Sequence, residues 1–313
     1  MIERWPGLPP LIPFESLSSW LRRIGIVYGL STSELLRWGL GFQGMQICWL
    51  DRNPSEELIK AISARTGVGL ETVQKATLPG LMRVVFDRIE FEKIRPGSKS
   101  IHLSRISLSD GIPWFRKPQG SEVFACRLCC EDYPNAGFLL PWQLAILLSC
   151  PVHGLMLEPA QVTTNSITWL KDSPELAPDV VHKMDSRTWA AVTEGSVKLP
   201  GGVIDAAVWF RHLNVVHGDL RKPMDPFGKR VEWQQLVCEY CPRILFQRRT
   251  QKDPARRWAI VLATALDLME KRQMKLVGPG EFSLSTQMKY HESSETQKQR
   301  VKKEIVRWVQ RWR

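Results

Sequence analysis

Residues 126–153 constrain this chain more than any other stretch. They open with Cys126-Arg127-Leu128-Cys129 and close with Cys150-Pro151-Val152-His153, so four soft ligands arrive as two pairs with twenty residues between them. Two residues between ligands is the spacing of a tight knuckle, which aims two side chains at one ion from a single turn. A second knuckle brought in from elsewhere completes a tetrahedron, the geometry that Zn²⁺ accepts with thiolate and imidazole ligands. Two such pairs are hard to assemble by chance from seven Cys and six His. The alternative is two buried cysteines and a helix-capping histidine. Four protein ligands leave no open position for water, so the pattern predicts a structural zinc rather than a catalytic one. A structural site supplies roughly 10–16 kcal/mol of apparent folding free energy, enough to order a module with little core. Cys130 adjoins the first knuckle; the two-residue gap selects Cys129, and Cys130 reads as a small buried apolar residue.

At 313 residues the chain has room for two or three domains. An apolar share of 43% with 24% charged residues is that of an ordinary globular protein. The opening Met1-Ile2-Glu3-Arg4-Trp5-Pro6 lacks the basic and apolar regions of a signal peptide. No apolar run approaches 18 residues, so no membrane span is expected. Cysteine is therefore read as reduced thiol in a cytoplasm, with metal binding preferred over disulfides. The net charge of +11 is unevenly placed. Residues 244–313 hold 16 Lys or Arg against 7 Asp or Glu, a net +9, whereas the first 243 residues net +2. That asymmetry is the footprint of contact with a polyanion, or else a solvated basic face.

Four prolines between residues 6 and 14 predict an extended arm. An amphipathic helix then begins at Glu15, with Leu17, Trp20, Leu21, Ile24 and Tyr28 on one stripe. Gly29 ends it, and Glu34 to Trp38 makes a short second helix. From Ser55 to Leu78 the pattern is helix, glycine-containing turn, helix, the outline of a helix-turn-helix. In a DNA reader the second of these helices would present Glu71, Thr72, Gln74 and Lys75 to the major groove; a helical hairpin that packs on protein has the same pattern. Ile101 to Leu108 alternates as short strands do, and Arg116-Lys117-Pro118-Gln119-Gly120 reads as a linker.

Between the knuckles, Phe138 to Leu148 reads as a helix carrying Trp142, Ile146 and Leu147. Ser186-Arg187-Thr188-Trp189 reads as the cap of a helix through Val192, Val197 to Gly202 as a turn, and Val203 to Val216 as an amphipathic helix. A further knuckle, Cys238-Glu239-Tyr240-Cys241, has no second Cys pair to complete it. His212 and His217 offer a second tetrahedron with Cys238 and Cys241; a packing histidine and a knuckle without metal are the alternative. Asp253-Pro254 caps a helix through Trp258, Val261, Leu262, Ala265, Leu266 and Met269. The last segment places Val301, Ile305, Trp308 and Trp312 on one stripe, with Lys302, Lys303, Arg307 and Arg311 off it. A basic amphipathic helix of this kind suits nucleic acid or an acidic partner. The expected architecture is mainly α with a small zinc-ribbon-like module. Its parts are an N-terminal helix-turn-helix region (1–118), a zinc module (119–160), a helical region with the second knuckle (161–250) and a basic helical region (251–313).

A phosphate-binding Gly-x-x-x-x-Gly-Lys-Ser/Thr does not occur, and the acidic residues form no cluster that invites Mg²⁺-dependent strand transfer. His-Gly at 153–154 and 217–218 suits metal ligation or turns better than general base work. Binding or scaffolding is expected, and no catalytic residue is assigned.

Three stretches together resemble the TniQ/TnsD family of transposon target-selection proteins. They are Pro13-Phe14-Glu15-Ser16-Leu17-Ser18-Ser19-Trp20-Leu21-Arg22-Arg23, Cys126-x-x-Cys129 with Trp142 and Cys150-Pro151-Val152-His153-Gly154 and Leu157, and Leu199-Pro200-Gly201-Gly202 leading to Trp209-Phe210. The likeness spans roughly residues 9–216. Arg127 stands where the family usually has Pro and Cys130 where an aliphatic residue is usual; neither disturbs a ligand. The resemblance implies a non-catalytic adaptor in the cytoplasm, associated with the nucleoid. It would recognise attachment-site DNA or a CRISPR RNA-guided effector complex and recruit the AAA+ ATPase that activates the transposase. Some members are homodimers. A stand-alone, sequence-specific zinc-containing DNA-binding protein is the alternative.

Overall fold

The computed structural model describes residues 4–44, 47–82, 115–116, 122–132, 137–163, 166–200, 202–221 and 254–271. They are mainly helical with a few short strands. The chain divides into two compact units. One comprises Met1–Val84, Lys117–Leu144 and Val152–Leu176; the other comprises Val85–Arg116, Ala145–Pro151 and Ala177–Arg313.

The first unit is built around α1 (Leu17–Tyr28), whose Ser16 cap accepts from Ser19 N and whose end is the left-handed Gly29. Leu17, Trp20, Leu21 and Ile24 are at most 1% exposed, so the expected stripe is the core face. The proline-rich arm lies along this helix and uses the carbonyls that proline retains. Pro9 O accepts from Trp20 Nε1 at 2.9 Å, Pro10 O from Arg23 Nη1 at 3.0 Å, and Pro6 O from the Tyr28 hydroxyl. Glu15, itself buried, ties this corner together. Its carboxylate accepts from Ile12 N, Ser19 Oγ and Arg23 Nη1, the last at 2.7 Å. Burial pushes its pKa upward against the lowering effect of those donors and the Arg23 charge.

Ser31 and Glu34 form a reciprocal capping box that starts α2 (Thr32–Glu34), which continues as a π-helical turn over Leu35–Gly39. Then come α3 (Ile47–Leu50), α4 (Glu56–Thr66), α5 (Leu70–Lys75) and α6 (Leu78–Met82). Ser55 caps α4 and the left-handed Gly67 closes it. Helices α5 and α6 pack so closely that a Cβ at Gly80 would stand 1.9 Å from Gln74 O. An antiparallel sheet completes the unit, in the order β1 (Glu122–Ala125), β2 (Glu158–Val162), β3 (Ile167–Trp169). Its register sets Ala125 opposite Glu158 and Ala160 opposite Trp169. Between β1 and β2 lie α7 (Arg127–Asp132) and a 3₁₀ turn over Leu140–Gln143.

In the second unit, α8 (Asp179–Glu194) leads into a hairpin of β4 (Ser196–Leu199) and β5 (Gly202–Asp205). Helix α9 (Ala206–Arg221) follows, and α10 (Pro254–Lys271) packs on α8 and α9. Trp209 and Phe210 are buried, and Trp209 Nε1 donates to Thr188 Oγ1 of α8 at 3.2 Å. Lys183 and Arg187 of α8 pair with Glu270 of α10, and Lys183 also with Asp267.

Three expectations about local structure are corrected. Phe138 to Leu148 is not a helix. Only the 3₁₀ turn at Pro141 forms, Leu144 is extended at ψ 124°, and the amides of Leu148 and Ser149 are taken by Asp185. Every residue from Leu144 to Cys150 is buried, so no face was left to carry a helical period. Helix α8 begins at Asp179, after Pro178, and Ser186 lies within it. Val197 to Gly202 is not all turn and Val203 does not begin a helix. β-Branched Val197, Val203 and Ile204 favour paired strands, and Asp205 Oδ1 accepts from Ala207 N at 2.9 Å to start α9. Ile101–Leu108, residues 117–120, Cys238, Cys241 and residues 301–313 lie outside the described residues.

Candidate metal centre

Strand β1 delivers Cys126 to the start of α7, whose first turn carries Cys129; Cys130 N donates to Cys126 O at 3.1 Å. The second pair sits on a turn through Pro151, Val152 and His153. Gly154 follows at φ 65°, a left-handed conformation that glycine adopts without steric cost. One ligand atom each from Cys126, Cys129, Cys150 and His153 all lie within 4.8 Å of one another. His153 presents Nδ1 to the cluster, 3.4 Å from Cys126 Sγ and 3.2 Å from Cys129 Sγ. Zn–S bonds near 2.3 Å and Zn–N bonds near 2.0 Å give a tetrahedron with S–N edges of about 3.5 Å and S–S edges of about 3.8 Å. The observed separations fit that cage. Cys126 and Cys150 are buried, and Cys129 and His153 are half-buried, so the cluster is closed on one side by protein. Cys130 is buried and stands outside the ligand group.

Residues 6–157 match the TniQ family model. Residues 6–157 belong to the TniQ family. No curated protein and no solved structure matches the chain. The TniQ domain thus runs from the proline arm through all four ligands and ends at Leu157, where β2 is about to begin. The Leu199–Phe210 stretch lies beyond it. A TniQ domain implies a transposition-associated target-selection family. Among the described residues no helix is long and apolar enough to cross a membrane.

Two side chains outside the ligand set fix the segments that carry it, and for neither did the sequence mark that role. Arg127, at the start of α7, donates Nε and Nη2 to Glu158 of β2, with N–O distances of 3.1 and 3.0 Å. It also donates to Asp172 O at 3.1 Å and Lys171 O at 2.6 Å, and its guanidinium lies over Trp169, 5.1 Å from the ring centroid. Arg127 is thus a five-donor fork that ties the first knuckle to the sheet. Asp185 of α8, fully buried, accepts at Oδ2 from Leu148 N (3.0 Å), Ser149 N (2.6 Å) and Ser149 Oγ (2.7 Å). Burial pushes its carboxyl up to about 7 in spite of those donors and the Arg116 charge. Both contacts join residues more than 30 positions apart, and an Arg or an Asp on a helix carries no local sign of such a role.

The other candidate residues stand elsewhere. On α5, Glu71, Thr72 and Lys75 are exposed and Gln74 is half-buried, while Val73 faces the core. Lys75, the helix's one cation among these, is paired with Glu71 at 2.8 Å. His212 and His217 are five residues apart on α9, so they point about 140° apart around the helix axis. His212 packs beside Trp209, and burial pulls its pKa down to about 4. His217 is buried edge-on to Trp258, 5.3 Å between centroids. Cys238 and Cys241, and Lys302, Lys303, Arg307 and Arg311, fall outside the described residues. Trp20 is core, whereas Trp38 is 69% exposed beneath the Arg37 guanidinium.

Proposed function

We propose that this protein is a transposition target-selection adaptor. It holds one structural Zn²⁺ on Cys126, Cys129, Cys150 and His153, and it links a recognised target to an AAA+ transposition regulator. The observation that carries the reading is the coincidence of the TniQ domain with a complete four-ligand set inside it. Three thiols and an imidazole saturate a tetrahedral ion, so the metal would organise a surface and have no position for substrate. The target is either attachment-site DNA or a CRISPR RNA-guided effector complex. The adaptor would act by binding, as a non-enzyme, with the basic residues of 244–313 adding salt-sensitive attraction to phosphates. Retention of an AAA+ transposition regulator on the immobilised protein tests the reading. Stable capture at moderate salt supports it, and no retention counts against it.

The stand-alone DNA-binding alternative draws on α4 and α5 and on the basic tail. Titration against a defined site and random duplex separates the two, because a regulator needs specific binding at least about 10³-fold tighter than non-specific. The pairing of Lys75 with Glu71 leaves α5 with little net charge to offer a phosphate backbone, which favours the adaptor.

A further inference from the structure

We propose that Asp185 is a positioning residue for the metal centre: by gripping the two residues ahead of Cys150, it presents that thiolate to the ion. The inference rests on the zinc reading above and adds to it a residue outside the TniQ domain.

The segment Leu147-Leu148-Ser149 is held on both edges of its backbone. Arg116 Nη2 donates to Leu147 O at 2.7 Å, and Asp185 Oδ2 receives the next two amides and the Ser149 hydroxyl. Ser149 and Asp185 are both 0% exposed, so water does not compete for these bonds. One oxygen with three donors, the shortest at 2.6 Å, is a tight clamp. The very next residue is Cys150. Its Cα is therefore fixed by a polar clamp and not by regular secondary structure, since residues 144–150 form neither helix nor strand.

The clamp itself stands on a rigid support. Asp185 lies in the middle of a 16-residue helix, α8. One turn on, Thr188 receives Trp209 Nε1 of α9, and Lys183 and Arg187 are tied to Glu270 of α10. A ligand placed by a rigid element loses less entropy on metal binding than one on a free loop, and removing a group that orients a ligand without touching the ion typically costs 10–100-fold in metal affinity. The function of this buried acid is thus geometric. Its oxygen must accept, and its charge is secondary.

That distinction gives the test. Zinc-loaded full-length protein is mixed with a chromogenic chelator, and the rate of metal transfer is followed alongside folding by circular dichroism. D185A is expected to release zinc at least about tenfold faster than wild type. D185N keeps an acceptor oxygen and is expected to stay within about threefold of wild type, a rescue that charge alone would not give. T188V removes the Trp209 bond from the same helix without touching Leu148 or Ser149; it should lose stability and keep wild-type release. D185A at the wild-type rate would overturn the proposal while leaving the zinc site intact. Release from D185N as fast as from D185A, or from T188V at equal speed, would overturn it as well. Wild-type protein that takes up no zinc would remove the proposal together with the metal reading.

Discussion

Nδ1 of His153 lies 3.2 Å from Sγ of Cys129, although the two residues come from a turn and a helix 24 positions apart. With Cys126 and Cys150 they make a group that could hold a metal ion, and with zinc bound the loss of any one would open the cage to water. Cys150→Ser replaces a soft thiolate with a poor ligand. Zinc content by mass spectrometry should fall well below one per chain. The TniQ domain should lose a large part of the roughly 10–16 kcal/mol that such a site contributes. A variant with wild-type zinc content would show the ligand set to be wrongly assigned.

Arg127→Ala should destabilise the metal-bearing module by about 3 kcal/mol, because Glu158 would be left as a buried, unpaired charge. Adding Glu158→Gln removes that charge. The double variant should therefore cost less than the sum of the singles by roughly 1–3 kcal/mol in chemical denaturation. Strict additivity would mean that the fork does not act as a pair.

What the sequence made legible and what it hid follow from range. That Cys126, Cys129, Cys150 and His153 come together was readable because each pair is local in the sequence. The stripe of α1 was readable because one face is buried and the other wet. Phe138 to Leu148 was misread because burial on all sides erases the period that separates helix from irregular chain. The β4–β5 hairpin hid behind the apolar run that α9 continues, with only Pro200-Gly201 to mark the turn. Arg127 with Glu158, and Asp185 with Ser149, are 31 and 36 positions apart. Such partners are chosen by tertiary packing, and neither residue type announces it.

Asp51→Ala should cost about 2–4 kcal/mol. Buried Asp51 accepts from Ser18 N and Ser18 Oγ at 2.7 Å each and from Gln143 Nε2 at 2.8 Å, and each stranded buried donor costs about 1–3 kcal/mol before relaxation. Asp51→Asn keeps one acceptor and turns an amide toward the remaining donors, so it should fall between wild type and Ala in thermal unfolding. Equal stability of all three proteins would mean that water replaces the carboxylate at no cost.

Lys302, Lys303, Arg307 and Arg311 are the residues expected to meet a polyanion. Replacing all four by Ala should reduce the slope of log affinity against log salt by up to about 3.6, the value for four phosphate contacts on duplex DNA. Lys75→Ala should change it by no more than about 0.9, the value for one contact. An unchanged slope in the fourfold variant would place the attraction elsewhere in the chain.

The carboxyl of Asp185 supplies a pH dependence whose sign is fixed by burial. Its pKa is raised from 3.8 to about 7 in the folded chain, so between those values the native state holds a proton that the unfolded chain has released. Unfolding then releases that proton, and raising the pH favours unfolding. The stabilising contribution is complete below pH 3.8 and is lost as the pH climbs through about 7. Asp185→Asn has no such proton. The stability of wild type minus that of D185N should therefore decline from pH 5 to pH 7 by at most about 1.4 kcal/mol per unit and level off above it. Denaturant midpoints of both proteins at matched zinc occupancy measure this difference, in which the titration of the metal ligands cancels. A difference that stays flat, or that grows with pH, would mean that the clamp on Leu148 and Ser149 keeps the carboxylate ionised across the whole range.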